Sequence, residues 1–199
     1  MKNQIGRRLL ADALRELNTE AVTCTADETT FAEVAKVVKG LCEKLNHTPR
    51  RERLIRSRSV EEEINSEEDH FHYGELVDFS PVAGLSNPMA PPMRIFREGD
   101  NVVGRINFSR VYEGAPGIVH GGYIAAAFDD LLGVTQSLSG KAGWTGTLTV
   151  KYRSPCPVIT ELRMVGRIES IKGRKIFAKA DLFAGERRVA DAEAIFITI

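Results

Sequence analysis

Gly121-Gly122-Tyr123-Ile124-Ala125-Ala126-Ala127-Phe128-Asp129-Asp130-Leu131-Leu132-Gly133-Val134-Thr135-Gln136-Ser137-Leu138 is the stretch on which the fold turns. It carries no lysine or arginine and is apolar or small on nearly every side. A helix of that kind belongs inside a protein. Segments rich in Val, Ile, Phe and Thr flank it. Met93–Arg97 and Asn101–Phe108 read as a hairpin about Glu98, Gly99 and Asp100. Thr145–Tyr152, Glu161–Ser170, Lys175–Phe183 and Arg188–Ile199 read as further strands, linked through Pro155 and Pro157, Gly173 and Gly185. Successive short links favour antiparallel pairing. One long helix with strands before and after it predicts an α+β fold, an antiparallel sheet wrapped around a central helix.

Upstream of this core the texture differs. Residues 1–64 read as a helical N-terminal extension. Ile5, Leu9, Leu10, Leu14 and Leu17 recur near helical spacing, which predicts one amphipathic helix. A second is expected to open on the capping box Thr30-x-x-Glu33 and to carry Phe31, Val34, Val38, Leu41 and Leu45. Arg50, Arg51, Arg53, Arg56 and Arg58 follow, but Glu61, Glu62, Glu63, Glu67, Glu68 and Asp69 come at once after them, as in a solvated linker. Residues 65–92 form a Pro-rich linker or loop, since Pro81, Gly84, Pro88, Pro91 and Pro92 break helix and central-strand patterns alike. His70 and His72 in this segment match no specific zinc spacing, so an exposed acidic loop is expected and no metal. Residues 93–199 are the α+β domain.

The whole chain has 199 residues, 27 basic and 27 acidic, and no formal net charge. That size excludes a large multidomain enzyme, and the 43% hydrophobic fraction excludes wholesale disorder. Zero net charge supplies no global field for nucleic acid or an anionic membrane. The first 64 residues hold 12 basic and 11 acidic side chains, which weakens a DNA-binding role for them too. Cys24, Cys42 and Cys156 are odd in number and widely separated, as expected for reduced thiols. Charged residues interrupt the N-terminal leucines, so neither a secretory signal nor a membrane span is expected there. A cytoplasmic location is expected.

No Gly-x-Ser-x-Gly, no Gly-x-Gly-x-x-Gly after a strand and no Cys-x-x-Cys is present, and Gly133 to Lys141 fails as a phosphate loop. What remains is the buried helix and its entrance, Glu113-Gly114-Ala115-Pro116-Gly117-Ile118-Val119-His120-Gly121-Gly122. Glycines at a helix start let a ligand approach backbone N–H groups that have no intrahelical acceptor. Such donors suit an oxyanion. Taken alone, however, the glycines fit a tight packing turn better. Asp129 and Asp130 shift the balance, because carboxylates in an apolar helix are costly unless paired, hydrogen-bonded, functional or partly exposed. Asp129 shares its face with Ala125, Ala126, Leu132 and Gly133, mostly small residues that leave space beside it. Lys151 and Arg153 alternate onto one strand face, and Arg174 follows a turn; either they converge on phosphates or they keep an edge strand soluble. Trp144 is expected to serve packing.

His120-Gly121-Gly122, with Asp129 nine residues after the histidine and Gly133 four later, follows Glu113-Gly114-Ala115-Pro116-Gly117. Downstream come Thr145, Leu148, Tyr152, Arg153 and Pro155, then Gly173-Arg174-Lys175. In this order they resemble the hotdog-fold acyl-CoA thioesterases of the phenylacetate-degradation (PaaI-like) type, in the 4-hydroxybenzoyl-CoA thioesterase superfamily. The resemblance covers roughly residues 93–199. It implies a hotdog fold and hydrolysis of an acyl-coenzyme A to free acid and coenzyme A. It further implies that Asp129 is the general base or nucleophile, that the Gly121 N–H polarises the carbonyl, that His120 positions or polarises the substrate, and that Thr145 orients water. Gly122, Lys151, Arg153, Arg174 and Lys179 would bind substrate, and no cofactor is implied beyond the coenzyme A of the substrate. Where some members carry a polar amide, this chain has Gly114.

Geometry adds an expectation about assembly. Gly121 and Asp129 are eight residues apart on one helix, about 12 Å at ~1.5 Å per residue. One thioester cannot reach both. A homodimer, alone or as a dimer of dimers, would bring the helix entrance of one subunit to the Asp129 of the other. Pro81–Met93 stands where it would cover an acyl pocket. Two alternatives remain open from sequence: a non-catalytic acyl-CoA-binding hotdog protein, and an enoyl-CoA hydratase or dehydratase.

Overall fold

The computed structural model describes residues 2–50 and 78–198. The expectations for Arg51–Arg58, for the acidic run after them and for His70 and His72 lie outside the described residues. The chain forms two compact units, residues 23–58 and the remainder.

In the larger unit, α1 (Lys2–Thr23) precedes the strands β1 (Arg94–Glu98) and β2 (Asn101–Asn107), a short 3-10 turn (Arg110–Tyr112) and the long helix. β3 (Gly143–Tyr152), β4 (Glu161–Lys172), β5 (Lys175–Ala184) and β6 (Arg187–Thr198) follow. In the smaller unit, α2 spans Glu28–Asn46, and none of its side chains is buried. Its cap corrects the sequence expectation. Asp27, not Thr30, is the N-cap, and its carboxylate accepts from the Thr30 N–H at 2.8 Å. An aspartate three residues earlier starts the helix sooner than the Thr30-x-x-Glu33 box would, because its short charged side chain accepts from the orphan Thr30 N–H and favours the helix dipole.

The six strands form one sheet in the order β1-β2-β4-β5-β6-β3, antiparallel throughout. The helix Gly121–Ser137, here α3, packs on five of the strands. It presents Ile124, Phe128, Leu131 and Leu132 to the sheet, all buried. The facing rows are small: Ala178 and Ala180 on β5, and Ala192 and Ala194 on β6, are each at most 2% exposed. At Gly166 on β4 a Cβ would lie 2.4 Å from the Thr135 hydroxyl, so the helix sits where no side chain fits. Small residues on the concave face and large ones on the helix make the interlock. This is the hotdog arrangement, and each expected strand is present within two residues of its expected ends.

α1 meets the core differently from the expected leucine stripe. Ile5, Leu9 and Leu10 are exposed, and Ala11 is the buried contact. Charged side chains fasten the helix instead. Arg8 pairs with the buried Asp78 at 2.9 Å, and Arg15 donates to the Asn87 and Leu85 carbonyls at 2.8 and 3.2 Å. Trp144, expected to pack, is 72% exposed. It lies on β3, which pairs only with β6 among the described strands and leaves most of its residues exposed.

Candidate active site

The entrance to α3 is closed up by backbone bonds. Gly114 N–H donates to Ile118 O at 2.9 Å, His120 N–H to Tyr112 O at 2.9 Å, and Val119 N–H to Cys156 O at 2.8 Å. His120 is the N-cap, and its Nδ1 accepts from the Gly122 N–H at 3.0 Å. That bond makes Nδ1 the unprotonated nitrogen and leaves Nε2–H as a donor. Among the described residues nothing accepts from the Gly121 N–H. The expected donors are therefore both present: a free backbone N–H at the positive end of a helix and an imidazole beside it.

Two glycines shape this corner. A Cβ at Gly114 would stand 3.0 to 3.3 Å from His120, so a side chain at the position of the missing amide would crowd the histidine. At Gly121 a Cβ would meet the Tyr152 ring at 3.3 Å, and the Tyr152 hydroxyl donates to the Gly121 carbonyl at 2.8 Å. Tyr152 was not among the expected site residues, although it stands in the quoted motif. Its partner is 31 residues away, so only the pairing of β3 across α3 reveals it.

The two adjacent carboxylates have separate jobs. Asp130 Oδ2 accepts from the Ser80 hydroxyl and from the Ala83 N–H at 3.1 Å. Burial pushes its carboxyl above the ordinary range, partly offset by those two donors. Asp130 thus holds the Pro-rich segment onto α3. Among the described residues Asp129 accepts one hydrogen bond, from the Thr145 hydroxyl at 2.9 Å, and its remaining lone pairs are open to a ligand. Asp129 and Thr145 meet within one chain, whereas Gly121 lies two turns back along the same helix.

The basic residues are spread out. Arg153 is clamped by Asp191 at 2.5 and 3.1 Å, which raises its guanidinium further and holds the Asp191 carboxyl low. Lys179 pairs with Glu169 and Glu193 at 3.4 and 3.7 Å, and Arg174 donates to Thr198 O at 3.0 Å. Thr198 is the partner of Gly143, and Lys151 is eight residues further along β3, roughly 26 Å at ~3.3 Å per residue. Arg174 and Lys151 therefore do not meet in one chain.

The profile of the thioesterase superfamily matches residues 116–190, from the helix entrance to the last strand. A thioesterase superfamily protein of known crystal structure is 30% identical, with a TM-score of 0.81 over 96% of this chain and 94% of that one. The chain belongs to the thioesterase superfamily. Within this superfamily, the acyl-coenzyme A thioesterase THEM4 of Mus musculus is 30% identical over 89 residues, 44% of this chain. The matched part spans 38% of that relative's length. A Streptococcus mutans protein solved with acetyl CoA has the same fold, with a TM-score of 0.51 at 17% identity over 54% of this chain and 88% of that one.

Proposed function

We propose that the protein hydrolyses an acyl-coenzyme A thioester to the free acid and coenzyme A. One observation carries this reading: among the described residues Asp129 is held by Thr145 alone and stays open to a ligand, while its neighbour Asp130 is consumed in structure. Membership of the thioesterase superfamily supports it. The Gly121 N–H and His120 Nε2–H supply donors for the negative charge that grows on a thioester oxygen. Asp129 takes a proton from water as the water oxygen attacks the carbonyl carbon. The C–S bond then breaks, and the thiolate leaves and is protonated to the thiol. If the carboxylate itself attacks, the resulting anhydride is hydrolysed to the same products. Both routes consume one water and call for no cofactor.

The active unit in this reading is a homodimer. β3 is an edge strand, largely exposed apart from the half-buried Leu148 and Val150, with Tyr152 beside Gly121 at one end and Thr145 beside Asp129 at the other. Antiparallel pairing of two β3 edges sets the Gly121 end of one chain against the Asp129 end of its partner. Such pairing also covers an edge that proteins seldom leave open. Lys151 is the cation best placed to meet coenzyme A phosphates, because Arg153, Arg174 and Lys179 already serve other acceptors. A cytoplasmic location agrees with three cysteines that are all unpaired. No helix of the described residues is long and apolar enough to cross a membrane.

Thiol release from a panel of acyl-CoA substrates tests the reading, with wild type and Asp129→Asn side by side. Hydrolysis in the wild type that falls at least 100-fold in the variant is expected. Hydration of an enoyl-CoA without thiol release would replace it with the hydratase reading.

A further inference from the structure

A cleft of about 460 Å³ opens between α1 and the Pro-rich segment. Pro88, Met89 and Pro91 form one wall, α1 the other, and Val111, Tyr112 and Tyr123 lie at its base. The walls are pinned in place. Arg15 of α1 donates to Asn87 O and Leu85 O, and the Tyr112 hydroxyl donates to Met89 O at 2.9 Å. Tyr123 links the cleft to the proposed reaction centre. Its ring stacks edge-on to Tyr112 at 4.8 Å and lies 6.4 Å from the His120 ring, also edge-on.

We infer that this cleft receives the acyl group of the substrate, and that the group is an uncharged hydrocarbon tail longer than acetyl. The inference rests on the thioesterase reading and adds the substrate class to it. The volume lies within the ~300–1,000 Å³ usual for small-molecule sites. Proline, methionine, valine and two aromatic rings make the Pro-rich wall and the base apolar, while the α1 wall is polar. The charges at the rim are those of Glu16 and Glu20, whereas Arg15 is already engaged by Asp12 and two carbonyls. A tail ending in a carboxylate would meet like charge there. Straight-chain and aryl tails share the chemistry the cleft selects, and the experiment separates them.

Two variants fill the cleft from opposite walls: Asn18→Trp on the exposed side of α1 and Met89→Trp on the 65%-exposed Met89. Both positions tolerate a large side chain without disturbing the core. The first readout is kcat/KM for octanoyl-CoA and for benzoyl-CoA, each divided by that for acetyl-CoA. The second is the affinity of octanoyl-CoA relative to acetyl-CoA on an Asp129→Asn background, where turnover does not intrude. A wild-type preference for one or both tails that falls about tenfold in each variant is expected, as is at least tenfold slower hydrolysis of suberyl-CoA than of octanoyl-CoA. Preferences that stay within twofold in both variants overturn the cleft assignment while leaving hydrolysis intact. Tighter octanoyl-CoA binding that both variants abolish, in a protein releasing no thiol from any substrate, would uphold the cleft and sink the hydrolysis reading.

Discussion

At the scale of single residues, adjacent aspartates on one helix have opposite fates, and they give the sharpest contrasts. Asp129→Asn removes the proposed base and keeps a hydrogen bond to Thr145, so kcat is expected to fall by about 10²–10⁴ with the circular dichroism spectrum unchanged. Asp130→Asn acts on stability instead. Burial holds the Asp130 carboxyl above its unfolded value, so the folded state is favoured below that value and loses stability as pH rises through the raised one. The melting temperature of Asp130→Asn minus that of wild type is therefore expected to be more positive at pH 7 than at pH 4. A difference that does not change with pH would contradict this. Cys156 offers a third check. Burial pushes its thiol up to about 11, whereas Cys24 and Cys42 are exposed. Alkylation of the native protein is expected to label those two, and Cys156 only after unfolding, as peptide mass mapping would show.

At the scale of elements, the sequence made the helix and the strands readable because each is a one-sided or fully buried apolar pattern of sufficient length. The helix entrance was readable for another reason: its glycines and histidine are contiguous. The contacts that hold the elements together were not readable. Ser80 and Asp130 are 50 residues apart and Arg8 and Asp78 are 70 apart, and such hydrogen bonds leave no periodicity behind them. Trp144 misled for a related reason. Its exposure follows from the position of β3 at the edge, beside β6, and strand order is not a local property. Two substitutions test the element contacts. Gly121→Ala drives a methyl toward the Tyr152 ring and is expected to lower activity while Tyr152→Phe in the same chain partly restores it. Arg8→Ala strands the buried Asp78 carboxylate and is expected to cost about 1–3 kcal/mol in chemical denaturation, with earlier proteolysis within α1.

At the scale of the whole molecule, one helix carries the proposed oxyanion donors at its start and the Asp129 carboxylate two turns later, too far apart for one substrate. Residues outside the matched region add α1 and the Pro-rich segment, which the Arg15, Asp78 and Asp130 bonds fasten to that fold. In the proposed reading the reaction centre is shared between subunits. Mixing subunits tests this directly. His120→Ala and Asp129→Asn chains, each of low activity alone, are co-expressed and the mixed dimers purified with two affinity tags. Each mixed dimer has one centre with both lesions and one with neither, so recovery of about half the wild-type rate per dimer is expected. Mixed dimers no more active than either parent would contradict a centre built from two chains.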